Sequence, residues 1–156
     1  MSTYIRRILA RALTLVAALF TITTLVGVPL SSADASGSTT TFGSKVVYTA
    51  ASRKGSPYMY GADGPTRFDC SGLTRWTFAR LGHSLAHSAA SQYRQVKHIP
   101  REYRRKGDLV FFHNSGGIYH VGIYVGNGYI WHSPYSGAHV RMERLWTSSV
   151  YYGRIG

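Results

Sequence analysis

Acidic side chains are scarce in this sequence and cysteine is scarcer: 6 Asp and Glu stand against 18 Lys and Arg, and Cys70 is the one thiol among 156 residues. A lone cysteine excludes the intrachain disulfides that hold many small exported domains together. It leaves no second thiol for a zinc site, and no H-x-x-x-H or H-E-x-x-H pair falls on a predicted helix. No metal and no cofactor are therefore expected. The chain also lacks any internal repeat of roughly 20 to 50 residues. Low complexity is confined to "SGSTTT", Ser36 to Thr41.

The N-terminus opens with Arg6, Arg7 and Arg11, followed by an uncharged run from Ala12 to Ala33. A basic start, an apolar run and the small-residue site Ala33-Asp34-Ala35 form the pattern of a secretory signal, with cleavage near Ala35. The competing reading is a retained anchor, since the run approaches the roughly 20 residues of a spanning helix. Thr14, Thr21, Thr23 and Thr24 interrupt it and favour removal. Residues 1–35 are thus expected to be a signal, 36–43 a polar lead-in, and 44–156 one folded domain working outside the cytoplasm, secreted or wall-associated, as a monomer without stable membrane insertion.

Without Arg6, Arg7, Arg11 and Asp34, the 18 basic residues fall to 15 and the 6 acidic ones to 5, a net of +10. Such a surface attracts polyanions, which outside a cell include anionic wall polymers. Nucleic acid is not expected, because the basic residues are scattered apart from Arg104-Arg105-Lys106 and no nucleic-acid motif accompanies them.

"SKVVYTAASRK" places Val46, Val47, Ala50 and Ala51 on one helical face, so a helix is predicted from Ser44 to Lys54. A Gly- and Pro-rich loop follows. "CSGLTRWTFARLG" has helical spacing, with Asp69 and Ser71 as start signals that put Cys70 in the first turn. "SAASQYRQV" adds a short helix capped by Ser88. Beyond Pro100, "GDLVFFH", "HVGIYVG" and "GYIWHS" read as strands, the last two joined by an Asn127-Gly128 turn, and "AHVRMERLW" as a further strand. Helices first and strands later predict an α+β domain on an antiparallel sheet.

A helix start and a nearby imidazolium both lower a thiol's pKa, so Cys70 is a candidate nucleophile whose partner must be a histidine. His83, His87, His98, His113 and His139 fall in polar connections or at element ends. His120 opens a strand, a rigid place to hold a ring. A two-residue turn at Asn127-Gly128 sets His120 near Pro134-Tyr135 and His132 near Ile123. A small adjustment of the loop would bring the two rings together and let His132 orient His120.

The stretches "GSPYMYGADGPTRFDCSGLTRW", "KGDLVFFH" and "YHVGIYVGNGYIWHS" resemble, in that order, the NlpC family of papain-like cell-wall cysteine peptidases. The resemblance covers nearly everything from Ser44 onward, with Tyr60 and Ala62 where the family often has Trp and Gly. It implies a papain-like fold with N-terminal helices packed on an antiparallel sheet. It implies Cys70 as nucleophile, His120 as general base and His132 as the third, orienting residue. Tyr58 and the Cys70 backbone amide would serve the oxyanion, and Asp69 and Ser71 would line the substrate site. The implied substrate is a peptidoglycan stem peptide, cut between D-glutamate and the following diamino acid. Two other readings stay open: an amidase or acyltransferase on another wall or lipid substrate, and a non-catalytic wall-binding module.

Overall fold

The structure, a computed structural model, describes residues 40–156. The expected signal, its cleavage site and most of the lead-in lie outside the described residues. Among the described residues no helix is long and apolar enough to cross a membrane.

Among the described residues three α-helices precede the strands of the sheet. Helix α1 spans Phe42–Ala51, two residues ahead of the expected start, because the Thr41 hydroxyl accepts from the Ser44 N–H and caps it. Helix α2 spans Cys70–Ala79 behind the Asp69 cap, and α3 spans Ala89–Gln95 behind Ser88. Side-chain oxygens at these caps occupy backbone donors that a helix start leaves free.

Six strands follow: β1 (Lys97–Ile99), β2 (Leu109–Asn114), β3 (Gly117–Gly126), β4 (Tyr129–His132), β5 (Arg141–Arg144) and β6 (Val150–Arg154). They form one sheet in the order β1-β6-β2-β3-β4-β5, and every pair is antiparallel. Sequence reasoning had no signal for β1, which is three residues long, or for β6, which contains Gly153.

Strand alternation splits the core in two. Leu109, Phe111, Val121, Ile123 and Trp131 pack with the helix residues Val46, Ala50, Leu73 and Phe78. Val110, Phe112, Tyr124, Ile130 and Tyr152 form a second cluster, joined by Leu145 and Val150. The fold is α+β, with helices packed on an antiparallel sheet, as predicted.

Candidate active site

Cys70 is the first residue of α2, and the residues around it hold it there. The Asp69 carboxylate accepts from the Gly72 N–H at 2.6 Å and the Ser71 hydroxyl at 3.1 Å, while its other oxygen accepts from the Gly61 N–H at 2.9 Å. Gly72 is required by this approach, since a Cβ there would collide with the Ala62 carbonyl and Asp63 backbone. On the far side, the buried Ser133 hydroxyl donates to the Phe68 carbonyl at 2.7 Å, tying the end of β4 to the strand-like approach to Cys70.

The sulfur is half-buried and lies against β3. Burial raises its pKa, and the Asp69 carboxylate raises it further; backbone hydrogen bonds from Val121, Ser71 and Cys70 itself pull the other way without prevailing. The expected depression of the thiol by the helix start is therefore outweighed, because desolvation and an adjacent carboxylate both disfavour a thiolate. The Val121 contact also sets the sulfur one residue along β3 from His120.

His120 and His132 meet: Nε2 of His120 and Nδ1 of His132 are 3.0 Å apart, with the rings nearly perpendicular at 82°. The expected register is corrected here. Ile123 pairs with Trp131 and Tyr124 with Ile130, and the register then shifts before Gly126 pairs with Tyr129. This irregularity at Val125 moves β4 by one residue, which reverses the face of each β4 side chain. Under the simple turn His132 would share a face with Ile123; the bulge turns it to the face of His120. Burial lowers the His120 pKa to about 3, helped by His132, so its ring is neutral in the resting protein. Burial likewise lowers His132, against a contrary pull from Glu143.

Glu143 was not anticipated from the sequence. Its Oε2 is 3.0 Å from His132 Nε2 and accepts from Arg141 Nε at 2.8 Å. Arg141 is paired directly with His132 across β4 and β5, and Glu143 with Ile130, so alternation puts both on the face of the histidines. The signal in "AHVRMERLW" was the spacing of two between Arg141 and Glu143. Trp146, also unforeseen, stacks on Phe112 at 4.2 Å between ring centroids and stands 6.0 Å from His120 and 5.4 Å from His132. Arg141, Glu143 and Trp146, with Tyr119 and Tyr135, line a cavity of about 440 Å³ that opens onto both imidazoles.

Tyr58 also lies close: burial raises its hydroxyl pKa, and the charges of Cys70 and Asp69 raise it further. Asp69 and Ser71 are 7% and 5% exposed, with the Asp69 carboxylate committed to the contacts above and to His87 Nε2 at 3.0 Å. His83, His98 and His113 lie elsewhere, against Phe42, Tyr93 and Tyr151 respectively. Among the described residues no group of three or more His, Cys, Asp or Glu side chains could hold a metal ion.

Residues 55–153 match the model of the NlpC/P60 family. The chain is 46% identical over 83 residues to the probable endopeptidase p60 of Listeria monocytogenes, covering 53% of this chain and 17% of that protein. It is 36% identical over 118 residues to the peptidoglycan endopeptidase RipA of Mycolicibacterium smegmatis, covering 67% of this chain and 24% of that one. The chain thus spans a quarter or less of the length of these relatives. Its backbone is similar to the crystal structure of the NlpC/p60 domain of the peptidoglycan hydrolase SagA, with a TM-score of 0.68, 29% identity, and coverage of 74% of this chain and all of that one.

Proposed function

The chain belongs to the NlpC/P60 family, and on that premise we propose that it is an exported cysteine endopeptidase that hydrolyses amide bonds in peptidoglycan stem peptides. The observation that carries this reading is the convergence of three elements: Cys70 at the start of α2, its thiol influenced by the backbone of Val121 on β3, and His120, the residue before Val121, joined to His132 at 3.0 Å.

The chemistry follows from the protonation states. With the thiol pushed up and His120 pushed down, the resting pair is thiol and neutral imidazole. Nε2 of His120 is engaged by His132, so Nδ1 is the nitrogen that takes the Sγ proton as sulfur attacks the carbonyl carbon. That proton then passes to the leaving amine. Water, deprotonated by the same nitrogen, hydrolyses the thioester and frees Cys70. The Tyr58 hydroxyl and the Cys70 backbone amide stabilise the oxyanion, a contribution commonly worth about 3 kcal/mol for one donor.

Asp69, with Ser71 beside it, attracts the free amino group of the stem. Both are nearly buried, so this role is electrostatic, by a carboxylate field in poorly solvated surroundings. The bond cut is the one between D-glutamate and the following diamino acid. Outside the site, the basic excess favours an anionic wall.

The test is product identification by mass spectrometry after purified protein acts on wall sacculi and defined muropeptides. Stem fragments ending at D-glutamate are expected, and none from Cys70→Ala. Equal digestion by that variant defeats the reading. A cleaved sugar–peptide or lipid bond would instead support the amidase or acyltransferase alternative.

A further inference from the structure

We propose that Glu143 is a positioning residue that sets, through His132, which nitrogen of His120 is free to accept the thiol proton. This deepens the proposed function and rests on its assignment of Cys70 and His120 as the reacting pair.

The inference comes from hydrogen-bond parity. A neutral imidazole carries one N–H and one bare nitrogen, so two rings bonded to each other have two possible arrangements. Either His120 Nε2–H donates to His132 Nδ1, or the reverse. The first leaves His120 Nδ1 bare and basic; the second leaves it protonated and useless as a base. The His120–His132 contact alone, at 3.0 Å, does not choose between them.

Glu143 chooses. Its Oε2 stands 3.0 Å from His132 Nε2, and a carboxylate can only accept, so His132 must carry its proton on Nε2. Nδ1 of His132 is then bare and accepts from His120 Nε2–H, and Nδ1 of His120 is bare in turn. The carboxylate stays ionised: burial pulls its pKa up, but Arg141 and His132 outweigh that and hold it below the usual range. Arg141 Nε and Nη2 both reach the same oxygen at 2.8 Å, which also fixes where the carboxylate points. When His120 takes the Sγ proton, its positive charge is two hydrogen bonds from a fixed negative one. No proton needs to leave His132, so Glu143 acts by orientation and field.

The experiment compares wild type, Glu143→Ala and Glu143→Gln by activity on a defined muropeptide and by imidazole nitrogen NMR at pH 7. Both histidines of the wild type are expected as Nε2–H tautomers. Glu143→Ala should give mixed tautomers at both rings and a kcat reduced about 10- to 100-fold with KM little changed. Glu143→Gln, whose amide oxygen can still accept, should recover much of both. A wild type with His132 protonated on Nδ1 overturns the inference, and this readout stands even if the alanine variant does not fold. So does a folded Glu143→Ala with unaltered tautomers and kcat within about twofold of wild type. Cys70→Ala, run alongside, separates the two levels: its residual activity would sink the assigned reaction itself, whereas a silent Glu143 variant beside an inert Cys70→Ala sinks only the positioning role.

Discussion

Gln92 in α3 is bonded to Ser71, the residue after Cys70: its Nε2 donates to the Ser71 carbonyl at 2.9 Å and to the Ala86 carbonyl at 2.8 Å, while its Oε1 accepts from Thr74 at 2.7 Å. The side chain is fully buried and all of its polar contacts bear on the first turns of α2 or the loop before α3. Gln92→Leu keeps approximate volume but removes all three bonds; the Thr74 hydroxyl can still donate to the Ser71 carbonyl at 2.9 Å, so the Ala86 carbonyl is the group left unpaired, at about 1–3 kcal/mol. A lower urea midpoint with unchanged slope is expected, together with reduced turnover. An unfolding free energy within about 0.5 kcal/mol of wild type would contradict the assignment.

Acid should destabilise the protein ahead of its carboxylates. Folded His120 stays neutral down to about pH 3, whereas an unfolded imidazole protonates near 6.5. Between those values the unfolded state binds more protons, so the stabilisation is complete above pH 6.5 and is lost as pH falls toward 3. The slope is about 1.4 kcal/mol per pH unit for each unmatched proton. Unfolding curves at pH 7 and pH 5 should show this decline, and His120→Asn should show a shallower one. Identical slopes would mean that His120 is not held neutral by burial.

Alkylation of Cys70 by iodoacetamide should follow the thiol, not a preformed ion pair. Because burial and Asp69 raise its pKa, the rate should climb with pH through a midpoint above the roughly 8.5 of a free cysteine. Asp69→Asn, which still caps a helix, should move that midpoint down. A plateau reached by pH 6, at rates above free cysteine, would show a thiolate–imidazolium pair instead.

Trp146 stands near both imidazoles, 6.0 Å from His120 and 5.4 Å from His132 between ring centroids. Trp146→Ala should widen the cavity of about 440 Å³ and lessen the desolvation that leads the causes of the low His120 pKa. The ring should titrate closer to its ordinary value in an NMR pH series, moving upward from about 3. An unmoved midpoint would assign the desolvation to Phe112 and the sheet instead.

Local chemistry was the legible part of this molecule. Asp69 and Ser88 announce their helices because a short polar side chain at a helix start satisfies its own neighbours' amides. Runs such as "LVFFH" announce strands for a similarly local reason. What depended on contacts between distant segments stayed hidden. The one-residue shift at Val125 that turns His132 toward His120 has no residue signature, since Asn127-Gly128 reads as an ordinary tight turn. Glu143 could be seen as a strand residue but not as a partner of His132, because its register against β4 is set by the connection 133–140 between the two strands.

Strand β6 lies between β1 and β2, although 35 residues, 115–149, separate it from the latter's end. Until Val150–Arg154 is available, β1 has no neighbour and β2 is an open edge, with Tyr152 missing from the packing around Val110 and Phe112. The sheet therefore closes late and through non-local pairing, which makes for slow folding. A chain still emerging from a ribosome or a translocation pore carries Cys70, His120 and His132 well before it carries the strand that completes their support. Under the proposed activity this order of assembly is a safeguard: the complete site forms only once synthesis has passed residue 154.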